Sequence, residues 1–352
     1  MSRKQIKTIG IVGANLTSLM FCQEAKKRGI ETILLDKEVD NVASDYATTN
    51  ISSDFNKGTL ERLALRVDAV IFSTNVLSQV PQDFDLNVSS YPSKPARDLI
   101  MNRMAQLELA TELKIPVPEY INCLDEEDLQ YAADEIGVPC RTIHIYENEI
   151  EMNLVSETDT LDEILLEVDL EYEMCVVEKI KDYKQVLTIT ALRDQTGNIV
   201  LYPIGQEEEI EGTEQSYINT PASTAKSTTQ KIERFTRKLV KYMDSAGIFT
   251  FKFGITKAKK LEWLGVTPGV NVGDIHTSHC MQLSVYEQFF NIIEGKKIIA
   301  VDLKSPNTVF ITNDDLAEEK VELPYHLYRM RLQDQENIQI FVIPDKIDDV
   351  EE

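Results

Sequence analysis

Residues 8–36 read TIGIVGANLTSLMFCQEAKKRGIETILLD, and their periodicity decides the fold. The apolar run Thr8–Val12 predicts a buried strand, and the polar break at Ala14-Asn15 predicts a turn. From Leu16 the apolar residues recur at helical spacing until Gly29, which sits where a helix commonly ends in a left-handed residue. ETILLD is then a second buried strand, ending at Asp36. Strand, helix and strand in that order make a βαβ unit, and LERLALRVDAVIFSTNV (60–76) repeats the alternation. The first ~90 residues are therefore expected to form a small doubly wound sheet.

The turn after the first strand invites a dinucleotide-binding reading, with Asp36 placed to meet a ribose. The glycines oppose it. Beyond Gly13, the positions where a pyrophosphate needs bare backbone hold Asn15 and Thr17, so a nicotinamide or flavin site is disfavoured.

With 352 residues, 43% apolar and 27% charged, the chain is long enough for two or three domains. No run approaches the ~18 apolar residues of a membrane span, and the first residues lack the apolar core of a secretion signal, so a cytoplasmic location is expected. Cys22, Cys123, Cys140, Cys175 and Cys280 are scattered singly and are expected as buried thiols. A formal charge of −23 argues against nucleic acid and anionic membranes as partners and makes a basic protein partner plausible.

Further along, residues 91–120 open on proline, run a helix and close at Ile115-Pro116, which marks a domain junction. LDEEDLQYAADEIGVP (124–139) is an amphipathic helix with an acidic first turn. Strand-like segments follow at 173–180, 185–192 and 198–203. A basic amphipathic helix over 227–247 precedes the strand IFTFKFGI, and a helix over 284–294 precedes a strand-rich, acidic tail.

This order of elements, with the runs LRVDAVIFSTNV, LKIPVPEY, DEEDLQYAADEIGVP, YINTPAS and CMQLSVYEQFFNIIEG, resembles the N5-carboxyaminoimidazole ribonucleotide synthetase family of purine biosynthesis. The resemblance spans about Lys7 to Ile298. It implies an α/β and α+β fold of the ATP-grasp kind: a doubly wound pre-ATP-grasp domain (1–100), small and large ATP-grasp subdomains (101–170 and 171–300) and a small β-rich C-terminal domain (301–352). It also implies a homodimer, and a reaction in which ATP and Mg²⁺ activate bicarbonate to carboxylate an amine. That chemistry gathers several charges in a partly dry site, so it demands phosphate lysines, a glycine loop and metal carboxylates.

The demanded residues are absent from the matching positions. In NRMAQLEL the first phosphate lysine becomes Leu107, and in GVPCRTIH the second becomes Ile143, with Arg141 the only nearby cation. The glycine loop corresponds to YENEIEMNL (146–154), and no glycine lies between Gly137 and Gly197, so no phosphate-cradling loop is expected. Glu147, Glu149 and Glu151 there suggest a strand with one acidic face. The first metal carboxylate becomes Lys252 in TFKFGIT, and the second metal pair becomes Leu264-Gly265 in LEWLGVTPGVNVGDI. Mg²⁺ requires hard oxygen ligands, which Leu, Gly and Lys side chains do not offer. In VVEKI the hinge glutamate persists as Glu178, while the later acid of that stretch is Gln185. Asn15, Asp36, Asn75 and Glu178 remain as residual ligand contacts.

In GDIHTSHC, Asp274, His276, His279 and Cys280 carry metal-compatible spacing, but a capped helix start is the favoured reading, with Asp274 or Thr277 accepting N–H bonds. The expectation is thus a degenerate ATP-grasp protein with no catalytic residues, no bound metal and no required cofactor, acting as a binding, regulatory or scaffolding protein. The alternative is an active ligase of the same family using relocated ligands.

Overall fold

The computed structural model describes residues 5–81, 84–145, 150–155, 174–209, 215–313, 324–331 and 337–344. The first sheet comprises β1 (Thr8–Val12), β2 (Glu31–Asp36), β3 (Thr49–Ser52), β4 (Ala69–Phe72) and β5 (Ser89–Tyr91), with α1 (Leu16–Lys27) and α2 (Lys57–Ala64) between them. Its order is β3-β2-β1-β4-β5 and every pair is parallel. The inner strands are buried on both faces, which is why they read as unbroken apolar runs. β3 carries TNIS on an exposed edge, a sequence with no strand signal of its own.

The helix expected after residue 91 is two helices, α3 (Lys94–Met101) and α4 (Arg103–Glu112). Asn102 leaves helical geometry at φ −114° and ψ 99°, and its side chain accepts from Ala105 N at 2.9 Å, so it starts the second helix as a cap.

The second sheet is antiparallel: β6 (Tyr120–Cys123), β7 (Cys140–Ile145), β8 (Ile150–Val155) and β9 (Met174–Lys179), in the order β6-β9-β7-β8. α5 (Glu126–Ile136) covers it through Leu129, Ala132 and Ile136. Of the stretch expected as a strand with an acidic face, residues 150–154 lie in β8, while Glu147 and Glu149 lie outside the described residues.

The third sheet is built from β10 (Tyr183–Arg193), β11 (Ile199–Leu201), β12 (Gly205–Glu209), β13 (Ser216–Thr220), β14 (Gly247–Thr256), β15 (Leu261–Pro268), β16 (Asn307–Thr312), β17 (His326–Arg331) and β18 (Asn337–Ile343). The order is β15-β14-β10-β12-β13-β16-β18-β17, with β11 beside β10. The strands after residue 306 thus extend this sheet through the β13–β16 pair. α6 (Lys226–Met243) packs Ile232, Phe235 and Leu239 on Phe249, Phe251 and Phe253, leaving its lysines and arginines to solvent.

α7 (Val285–Ile293) locks the first sheet onto the third. Phe21 of α1 meets Tyr286 and Phe289 at ring separations of 5.6 and 5.3 Å, and Tyr91 stands edge-on to Phe289 at 5.4 Å. Arg28 ties Glu24 of α1 to Glu294 beyond α7, at 2.7 and 2.5 Å. All five cysteines are free and buried. No described helix is long and apolar enough to cross a membrane.

Candidate functional site

A cleft of about 460 Å³ opens where the three sheets converge. The turn after β1 contributes Asn15, the first turn of α1 contributes Thr17, α4 contributes Arg103 and Gln106, and β7 contributes Arg141 and Ile143. The third sheet supplies Thr188, Glu207, Thr250, Lys252 and the stretch Leu264–Thr267.

Leu107 and Ile143 stand at the two positions the family resemblance assigns to phosphate lysines. They are 0% and 3% exposed and form one apolar cluster with Val176 of β9, flanked by Met104, Val117 and Tyr120. Helix α4 and strand β7 are therefore welded where two lysines would project. Dispersion and desolvation, rather than a bound anion, hold this junction.

Beside that cluster lies a charge triad. Glu178 on β9 is 1% exposed and accepts from Arg103 Nε at 2.8 Å and from Arg141 Nη2 at 2.5 Å. Arg103 Nη2 also sits 2.8 Å from Glu178 Oε2 without an aligned hydrogen bond. Its Nη1 donates to Gln106 Oε1 at 3.2 Å, and Gln106 in turn donates to Ile100 O at 2.6 Å. Burial pulls the Arg103 guanidinium below its ordinary range, Glu178 opposes that shift, and the neighbouring Arg141 adds to it. Glu178 is thus neutralised within the chain. Arg141, the cation noted from the sequence, turns toward Glu178; Arg103 was not anticipated. The available signal was the spacing of Arg103, Gln106, Leu107 and Ala110, which puts all four on the buried face of α4.

Across the cleft, a bulge in the β14–β15 ladder pairs Lys252 with Gly265 and Phe253 with Trp263, leaving Leu264 as the extra residue. Lys252 Nζ lies 2.5 Å from Glu207 Oε2 on β12. Gly265 has φ +148°, and a Cβ there would stand 3.5 Å from Arg103 Nη1. A side chain at this position would be strained and would point at a guanidinium. Glu262 accepts from Lys181 Nζ at 3.0 Å and Tyr183 Oη at 2.9 Å, so it is no substitute ligand, and burial together with Glu262 raises Tyr183. Oxygen ligands for Mg²⁺ are therefore missing where the family resemblance would place them, and Mg-ATP does not fit these positions.

The remaining sequence candidates are divided. Asn15 lines the cleft, but its Oδ1 caps α1 through Ser18 N at 2.9 Å, and its amide donates to Asn75 Oδ1 at 3.3 Å. Asp36 is occupied by Ala14 N at 2.7 Å and Glu38 N at 2.9 Å, which makes it a brace for the first turn rather than a ribose contact. Gln185 stands apart from the cleft, donating to Gln206 Oε1 and Ser223 O at 2.9 and 3.1 Å. Asp274 accepts from Asn271 N at 2.9 Å, which caps the short turn 272–276, and from Thr190 Oγ1 at 2.8 Å, while Thr277 Oγ1 accepts from Val285 N at 3.2 Å at the start of α7; the helical turn that begins at Thr277 has no side-chain cap of its own. His276 donates from Nδ1 to Gly273 O at 2.7 Å, and His279 Nε2 lies 2.7 Å from Tyr328 Oη. Among the described residues no group of His, Cys, Asp and Glu side chains is placed to hold a metal.

Comparison with known proteins now decides the lineage. The ATP-grasp domain model matches residues 108–270, and the ribonucleotide synthetase pre-ATP-grasp domain model matches residues 6–97. The chain thus carries an ATP-grasp domain preceded by a ribonucleotide synthetase pre-ATP-grasp domain. It is related to N5-carboxyaminoimidazole ribonucleotide synthases: 20% identity over 298 residues with that of Staphylococcus aureus (83% of this chain, 78% of the relative) and 21% over 302 residues with that of Brucella melitensis (84% and 82%). Among solved structures, the ADP complex of the Staphylococcus aureus synthetase superposes with a TM-score of 0.83 at 18% identity, covering 99% of this chain and 96% of that one. The Thermus thermophilus synthetase gives 0.79 at 18%, covering 95% and 93%. At such identities the superpositions establish the fold alone.

Proposed function

We propose that this ATP-grasp protein is a binding or regulatory protein rather than an ATP-dependent carboxylating ligase. The observation that carries this reading is the Leu107–Ile143–Val176 cluster, which fills with apolar contact the place where phosphate-binding ammonium groups would stand. The Lys252–Glu207 pair and the glycine conformation at Gly265 support it from the metal side of the cleft. A dimeric state and a partner with a basic surface are part of the proposal; light scattering and capture by basic partners at low salt address them.

One observation favours a second reading. Arg103 and Arg141 could serve as relocated phosphate ligands in an active ligase, because guanidinium groups bind phosphate as a fork. Both readings are separated by ATP with Mg²⁺. Under the binding-protein reading the melting temperature is unchanged by the pair, and no ADP is released when aminoimidazole ribonucleotide and bicarbonate are added. A ligand at about 100 times its Kd would add ~2.7 kcal/mol, which a melt detects readily. Mg-dependent stabilisation of that size, or ADP release above blank, refutes the binding-protein reading.

A further inference from the structure

The charges around the cleft do not cancel. Its cations are Arg103, Arg141 and Lys252, and their carboxylate partners are Glu178 and Glu207, three against two among the described residues. The excess lies at the Arg103–Glu178–Arg141 triad, where two guanidinium groups share a single carboxylate that is 1% exposed. Arg103 is itself 7% exposed and keeps an Nη2 without an aligned acceptor. Arg141 has 28% of its side chain open, lines the cleft and makes one ion pair among the described residues. A Cβ at Gly265 would stand 3.5 Å from Arg103 Nη1, so the absence of a side chain leaves space beside that guanidinium on the side where the family resemblance places a metal carboxylate. A fixed cation thus stands beside the position from which the metal carboxylate has gone.

Resting on the reading above, we propose that the cleft takes a small organic molecule bearing one carboxylate, which meets Arg141 and Arg103, and that it does so without a divalent metal. A single surplus positive charge matches a monoanion; a phosphate monoester brings ~1.5–2 negative charges at neutral pH, and a triphosphate brings more. The guanidinium fork is preorganised for a carboxylate. The remainder of the cleft suits an amphipathic body: Ile143, Leu264 and Val266 provide apolar walls, and Thr17, Thr188 and Thr250 provide hydroxyls. A volume of about 460 Å³ falls within the ~300–1,000 Å³ of ordinary ligand pockets.

The test titrates the full chain, in EDTA, with benzoate, with its uncharged isostere benzamide and with inorganic phosphate, by calorimetry and thermal melting; ATP with Mg²⁺ is a separate arm. Benzoate is expected to bind and raise the melting temperature where benzamide does not. Arg141→Gln should weaken benzoate about tenfold or more, the equivalent of one charge-assisted hydrogen bond, and Arg141→Lys should retain part of the affinity. Circular dichroism confirms that both variants fold. Benzoate binding no tighter than benzamide, undiminished in Arg141→Gln, dependent on Mg²⁺ or weaker than phosphate overturns the proposal. Stabilisation by Mg-ATP overturns the binding-protein reading as well, whereas indifference to both ATP and benzoate overturns this inference alone.

Discussion

Placing a lysine at residue 107 provides a stringent test of how the cleft is held. Leu107 is fully buried against Ile143 and Val176, so Leu107→Lys places an ammonium in an apolar junction rather than opposite a phosphate. Burial of the leucine side chain contributes about 1.5–3 kcal/mol, of which the lysine stem recovers part. Keeping the new amine neutral at pH 7 costs about 1.4 kcal/mol per pKa unit, or roughly 4 kcal/mol over three units. The expected loss is therefore about 4–5 kcal/mol, while Leu107→Met, which conserves volume, should cost less than about 1.5 kcal/mol. With ~2 °C per kcal/mol for a large domain, the lysine variant should melt roughly 8–10 °C lower. The loss should shrink at high pH, where the amine is neutral without penalty. Urea titration and thermal melting at pH 7 and pH 10 read all three quantities. A loss under about 1 kcal/mol, or Mg-ATP stabilisation gained by the variant, would refute the claim that this junction has closed as hydrophobic core.

Glu178→Gln should cost about 3–5 kcal/mol in urea titration, because it leaves two guanidinium groups around an uncharged amide, and adding Arg103→Met should return part of that loss. Phe21→Ala should cost about 3–5 kcal/mol by removing a ring that joins the first sheet to α7; a surface-like loss would show that Tyr286 and Phe289 do not need it. Burial raises Asp274 to about 6, so its stabilising contribution is complete below pH ~4 and is lost as pH rises through 6, up to roughly 3 kcal/mol. Asp274→Asn should therefore gain on the wild type in melting temperature between pH 4 and 7; a constant difference would contradict this. Burial lowers His276 to about 4, so its contribution is complete above pH ~6.5 and is lost as pH falls toward 4, and His276→Gln should flatten the wild type's acid-side decline in melting temperature.

The fold was legible where periodicity is dictated by burial. TIGIV and ETILLD announce themselves because both faces of β1 and β2 are covered, and α6 because one face is apolar and the other charged. β3 was not visible, since a four-residue edge strand of polar character is specified by its partner β2 rather than by its own side chains. The break at Asn102 was hidden because asparagine is tolerated inside a helix as well as at a cap. In the cleft, matching residues to a family pattern singled out Leu107, Ile143 and Lys252, but it could not show that the first two touch. Arg103 was passed over because the pattern assigns that place no role. Its importance comes from Glu178, 75 residues away in sequence, and only the folded chain brings the two together.

Under the proposed reading, the residues at these positions are coupled by electrostatics rather than independent. A lysine beside Ile143 would be an uncompensated charge whenever no phosphate was present, and a carboxylate at residue 265 would compete with Glu178 for Arg103, 3.5 Å from its Cβ. Leu107 and Gly265 carry neither conflict, and both carboxylates are settled within the chain, Glu178 by two arginines and Glu207 by Lys252, with one cation in excess. The result is a cleft whose ion pairs need no divalent ion for support, while the Phe21–Phe289 contact holds the domains together at a distance from it. Under the proposed reading, a lysine placed at residue 107 or a carboxylate at residue 265 should therefore destabilise the protein without conferring Mg-ATP binding, because the neighbouring groups already pair or pack with one another.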